Sequence, residues 1–188
     1  ERVLAQIEEV QKLNQGLKDI YTLTGTEMDI RADGSLDLPD EVLARLDVVV
    51  AAVHSSMGQE QEKMTRRVLG ALENPHVDIL AHPTCRLLGE REPSHIDLEA
   101  VFKKAVEKGK ALEINAMPTR LDLKDIHILR ARELGAKLLI GTDAHSPEQL
   151  DLMRFGVGLA RRGWCQTRDI INTWPLEKVK AFFKKEEG

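Results

Sequence analysis

Four short apolar runs in this chain each lead into a side chain that can ligate a metal, and that pattern limits the folds open to it. Leu138–Ile140 run into Asp143 and His145, VVVAAVHS ends in His54, VDILAHPT in His82, and YTLTGTEMDI carries Glu27. Apolar runs of this length, bounded by polar, Gly or Pro residues, read as strands buried on both faces of a parallel sheet. Helical periodicity fills the gaps between them, so the order is a helix followed by repeated strand–helix units with right-handed crossovers. No GxGxxG or other Gly-rich phosphate loop occurs, so a nucleotide-binding doubly wound sheet has no positive support. The reading is α/β: an incomplete barrel of about five parallel strands.

The strands are expected over Asp19–Ile30, Val48–Val53, Val77–Leu80, Ala111–Asn115 and Lys137–Ile140. Helices are expected near 1–17, 37–46, 59–72, 97–108 and 123–134, with Gly109 and Gly135 closing the last two. Ser146-Pro147-Glu148-Gln149 has the form of a capped helix start, and Thr167-Arg168-Asp169 and Trp174-Pro175 are expected to open two terminal helices. The tail KKEEG is expected to fray. Residues 1–188 form one domain, without internal repeats. The chain opens at Glu1 directly in an amphipathic pattern, which reads as a piece of something longer.

Composition narrows the function classes. The net charge of −4 lacks the basic excess of a stand-alone nucleic-acid binder. Two cysteines without CxxC spacing imply neither a disulfide framework nor a Cys-rich zinc site, and favour a cytoplasmic setting. No apolar stretch reaches the length of a membrane span.

In a parallel barrel the C-terminal strand ends gather the active site. Glu27, His54, His82, Asp143 and His145 all fall there, and two carboxylates with three imidazoles suit a divalent cation. Taken singly, His54 and His82 read more often as structural histidines, Glu27 as an N-cap partner or a surface charge, and Asp143 with His145 equally as a hydrogen-bonded surface pair. Taken together, unpaired charges at the ends of buried strands are costly, and a cation satisfies them all. An extended backbone would aim Asp143 and His145 to one face. His76, His95 and His127 precede a strand, precede a helix or lie within one, and read as structural. Arg86, Arg91 and Arg120 sit on the ligand side. They can clamp phosphate oxygens or pair with Glu90, Glu92 or Asp122. Cys85 reads as an apolar filler or a soft ligand.

The segments TGTEMDI, VVAAVHSSMGQ, ENPHVDILAHPTCRLLG, ALEINAMPTRLDL and LLIGTDAHS resemble the polymerase-and-histidinol-phosphatase (PHP) domain. RLDL and DLMRFGVGLARRGW resemble more narrowly the C-terminal PHP domain of bacterial and archaeal family X DNA polymerases. The resemblance implies a distorted (βα)7 barrel with a trinuclear manganese or zinc cluster that hydrolyses phosphoesters. In the polymerase branch it implies 3′–5′ exonuclease and 3′-end processing in DNA repair, with DNA 3′ ends presented by an upstream polymerase domain. By the same resemblance Glu27 bridges two ions, His54 and His82 complete one site, Asp143 serves the second and His145 the third. Glu27, Asp143 and His145 would then be catalytic.

The family's His-x-His and Thr-Asp-His motifs do not occur in this sequence. By the resemblance only one site keeps its full ligand set, so the chain alone is expected to be weak or inactive. Both edges of an incomplete barrel are expected to be unpaired and to favour self-association. A small-molecule phosphatase of the histidinol-phosphate type is the alternative function, and a metal-free scaffold for a polymerase domain a third.

Overall fold

The computed structural model describes residues 2–183; the tail KKEEG lies outside the described residues. Five parallel strands form one sheet in sequential order: β1 Gly25–Asp29, β2 Val48–Ala52, β3 Ile79–Leu80, β4 Ala111–Asn115 and β5 Lys137–Gly141. The incomplete (βα) barrel read from the sequence is therefore observed. α1 Arg2–Gly16 precedes the sheet, and the connections carry α2 Asp40–Leu43, α3 Gln61–Glu73, α4 Leu98–Glu107 and α5 Asp125–Glu133. After β5 come α6 Met153–Arg162 and α7 Leu176–Phe183. Among the described residues no helix is long and apolar enough to cross a membrane.

Burial explains the strands. Every residue of β4 is buried, as are four of the five in β2, because helices cover the sheet. The helices turn one stripe inward: α3 buries Met64, Val68, Ala71 and Leu72, and α4 buries Val101, Phe102 and Ala105. Asp97 caps α4 by accepting from the Ala100 N–H at 3.0 Å. Gly109 and Gly135 adopt φ of +64° and +91° just past α4 and α5. The next N–H in each case reaches back five residues, Lys110 to the Ala105 carbonyl and Ala136 to that of Ala131, closing both helices in Schellman turns.

Three expectations are corrected. The first strand is only Gly25–Asp29. The segment before it is held instead by Asn14, whose amide donates to the Thr22 carbonyl and accepts its N–H, both at 2.8 Å. No helix starts at Thr167. The chain there runs beside β5 and makes a short 3-10 turn at Ile171–Thr173. The third concerns the edges. The outer edge of β5 is not open: Leu138 N–H donates to the Asp169 carbonyl at 2.9 Å. Ile140 exchanges two bonds with the Asn172 side chain, at 2.7 and 3.0 Å. A primary amide presents a donor and an acceptor side by side, so Asn172 substitutes for a neighbouring peptide group. β1 has no strand neighbour on its outer side among the described residues.

Candidate metal centre

Because the strands are parallel, residues at or just past their C-terminal ends meet above the sheet. Glu27 lies within β1, opposite Val50 of β2. His54 follows β2 by two residues and His82 follows β3 by two. Their Nε2 atoms stand 3.0 and 3.1 Å from the same Glu27 Oε1. The two rings meet edge to face, with centroids 5.2 Å apart.

Among the described residues, these three are the set whose ligand atoms all fall within 4.8 Å of one another. A tetrahedral ion bonded at about 2.0–2.1 Å holds its donors roughly 3.3 Å apart. The observed spacing is therefore close to that of a coordination site, and two imidazoles with a carboxylate suit zinc or manganese.

The electrostatics report the same crowding. Hydrogen bonds from His54 and then His82 hold the Glu27 carboxyl far below the usual carboxylate range, against the opposing effect of burial. Glu27 in turn raises His54. Burial opposes charge on His82, but the neighbouring Cys85 thiol and the Glu27 carboxylate outweigh it and push the ring up to about 10. A cation would take the place of these protons.

The remaining candidates sit differently. Asp143 follows β5 with φ +52°. Its Oδ2 lies 3.4 Å from Asn115 Nδ2 and 3.5 Å from Arg120 Nε. That left-handed turn removes the extended geometry expected to aim Asp143 and His145 together. The His145 side chain is 78% exposed. Its Nδ1 lies 2.8 Å from the Asp143 main-chain carbonyl. Gln149 does not close a capping box; its Oε1 accepts from the His145 N–H at 2.5 Å. Neither Asp143 nor His145 belongs to the three-donor set.

Arg86 is buried and donates to the carbonyls of Arg120 and Leu121, while Arg91 donates to that of Cys85. Both guanidinium groups thus brace loops on the ligand side. Arg120 is mostly buried, and its Nη1 has no hydrogen-bond partner. Cys85 is packed in the core.

Three side chains in the site escaped the sequence reading. Asp29 Oδ1 lies 2.5 Å from His54 Nδ1. Glu113 Oε2 accepts from the His82 N–H at 2.7 Å. Asn115 Nδ2 lies 3.3 Å from the same Glu113 oxygen. The signal was available: Glu27-x-Asp29 and Glu113-x-Asn115 are spaced to share a strand face. A carboxylate inside the buried strand ALEIN is itself anomalous. Burial pushes the Glu113 carboxyl up to about 7.

No family model matches the chain. It is 44% identical over 187 residues to the DNA polymerase/3′-5′ exonuclease PolX of Bacillus subtilis, with all of this chain aligned to 33% of that protein. The chain thus spans about a third of that relative's length. It is 30% identical over 186 residues to a probable phosphatase of Thermoanaerobacter pseudethanolicus, covering 93% of this chain and 73% of the relative. Its fold matches a crystal structure of histidinol phosphate phosphatase from Lactococcus lactis in complex with zinc, L-histidinol and phosphate. That match has a TM-score of 0.58 at 20% identity, over 85% of this chain and 73% of the other. Phosphatase relatives aligned over nearly its whole length, and a parallel sheet with imidazole and carboxylate donors gathered at one end, identify the chain as a member of the polymerase-and-histidinol-phosphatase family.

Proposed function

We propose that this chain is the metal-dependent phosphoesterase region of a family X DNA polymerase, acting as a 3′–5′ exonuclease on DNA 3′ ends. The observation that carries the hydrolytic reading is the convergence of Glu27, His54 and His82 on one point. The choice of DNA rests on the alignment of the whole chain with the Bacillus subtilis polymerase.

In this reading Glu27, His54 and His82 hold a manganese or zinc ion, and Asp143 and His145 contribute to further ions of a trinuclear cluster. A divalent cation here supplies Lewis acidity, lowering the pKa of water and polarising the phosphoryl group. Water adds to the terminal phosphorus, the bond from phosphorus to the 3′ oxygen breaks, and a 3′-hydroxyl and a 5′-nucleotide result. Asp29 keeps the proton of His54 on Nδ1, which leaves Nε2 free to ligate. Arg120, whose Nε lies 3.5 Å from Asp143 Oδ2, is the guanidinium nearest the candidate ligands that this reading assigns to a phosphoryl oxygen. Arg86 braces the Arg120 loop and Arg91 the Cys85 loop, and this reading gives both a part in substrate binding. A polymerase domain on the same polypeptide would deliver the DNA end, in a cytoplasmic setting.

With one converging donor set among the described residues, the chain by itself is weak or inactive in this reading. A second reading is a small-molecule phosphatase, favoured by the probable phosphatase that the chain matches over 73% of its length. Parallel assays of a 3′-labelled oligonucleotide and of histidinol phosphate, with manganese and with zinc, separate the two. Release of nucleotide without turnover of histidinol phosphate supports the exonuclease; the reverse outcome overturns it.

A further inference from the structure

Strand β4 carries none of the candidate ligands, yet it lies between the strands that carry His82 and Asp143. Its last residues, Glu113 and Asn115, share a face. Glu113 accepts the main-chain N–H of His82 at 2.7 Å on one side. Asn115 lies 3.3 Å from Glu113 and 3.4 Å from Asp143 Oδ2 on the other.

We propose that Glu113 is a positioning residue that fixes the backbone of His82 so that its ring meets Glu27, with Asn115 extending the same hold to Asp143. The inference rests on the metal reading of the site.

Three further observations support it. His82 and Asp143 both have positive φ, +27° and +52°, a region that side-chain-bearing residues enter only when their surroundings hold them there. Glu113 is 8% exposed, so its carboxyl is costly to bury unless its acceptors are used. Gly141 of β5 pairs with Asn115, and the Glu113 carboxyl reaches diagonally over that glycine. A Cβ there would overlap Glu113 Oε1, whereas the φ of Gly141 is not among the positive ones and makes no demand for glycine. The space at Gly141 is kept for the carboxyl group.

The test is Co²⁺ and Zn²⁺ binding by the full chain, read by calorimetry and by Co²⁺ visible absorption, with folding checked by far-UV circular dichroism. Glu113→Asp withdraws the carboxylate by one methylene, and Gly141→Ala displaces it. Each should weaken binding about 10-fold or more and alter the Co²⁺ spectrum while the fold is retained. Glu113→Gln keeps an oxygen that can accept from His82 and should bind within about 3-fold of the unsubstituted chain. In the unsubstituted chain the His82 amide should exchange slowly with deuterium, a readout that needs no variant. Unchanged affinity and spectrum in Glu113→Asp and Gly141→Ala, a Glu113→Gln as weak as Glu113→Asp, or a rapidly exchanging His82 amide would each overturn the inference. If the unsubstituted chain binds no ion, the metal reading fails and takes this inference with it; equal binding by the variants removes the inference alone.

Discussion

Asp29 and Glu27 hold the His54 ring from opposite nitrogens: Asp29 Oδ1 lies 2.5 Å from Nδ1 and Glu27 Oε1 lies 3.0 Å from Nε2. Both carboxylates come from one face of β1, two residues apart. A carboxylate on the far nitrogen sets the tautomer and strengthens the near nitrogen as a ligand. Asp29→Ala should therefore lower divalent-metal affinity by roughly 10–100-fold without unfolding the chain. Zinc titration by calorimetry checks it, and an affinity equal to that of the unsubstituted chain would show that the Asp29 contact is incidental.

The chain should retain about one divalent ion after dialysis, because Glu27, His54 and His82 are the three donors that converge and an under-ligated ion keeps its water. His82→Ala should lose that ion. Elemental analysis finding three equivalents in the unsubstituted chain would require further ligands from Asp143 and His145.

Metal binding should release about one to two protons per ion near neutral pH. His54 is raised and His82 is raised to about 10, so both favour the protonated form that an ion must displace. Affinity should accordingly rise with pH. The metal-free chain follows the opposite course in the alkaline range. The raised His82 contributes stability in full below its unfolded value of 6.5, and this is lost as pH rises through about 10. The depressed Glu27 contributes stability above its unfolded value of 4.5, lost as pH falls through its lower folded value. Calorimetry in buffers of different ionisation enthalpy counts the protons, and thermal unfolding across pH follows the linkage.

Arg120→Ala should raise KM or lower kcat/KM for a phosphoester by about 10–100-fold, the scale of a hydrogen bond to a charged group. Ion affinity should change far less, since Arg120 is no ligand. Steady-state kinetics beside metal titration separates the effects, and a loss confined to metal affinity would assign Arg120 to holding Asp143.

Asn172→Ala should cost about 1–3 kcal/mol, because it strips both partners from the Ile140 peptide groups on β5. Denaturant unfolding measures the loss. Among the described residues β1 has no strand neighbour on its outer side, so any self-association of the chain should use that edge. Sedimentation over a range of concentrations that finds only monomer would remove that expectation.

The parallel α/β architecture was legible in the sequence, as was the placement of His54 and His82 just past their strands. Apolar runs, helical periodicity and the glycines at 109 and 135 are local signals, each set by a few neighbouring residues. Glu27, His54 and His82 could be grouped because a parallel sheet brings all its C-terminal ends to one side. What remained hidden depends on contacts between residues distant in sequence. Asn172 seals β5 from 32 positions away, and Glu113 steadies His82 from 31. No local pattern announces such pairs, because each partner's role exists only once the sheet has brought them together. The separation of Asp143 and His145 from the three-donor cluster had the same origin. Strand alternation predicts a shared face only for extended backbone, and the left-handed turn at Asp143 is set by its surroundings at the end of β5.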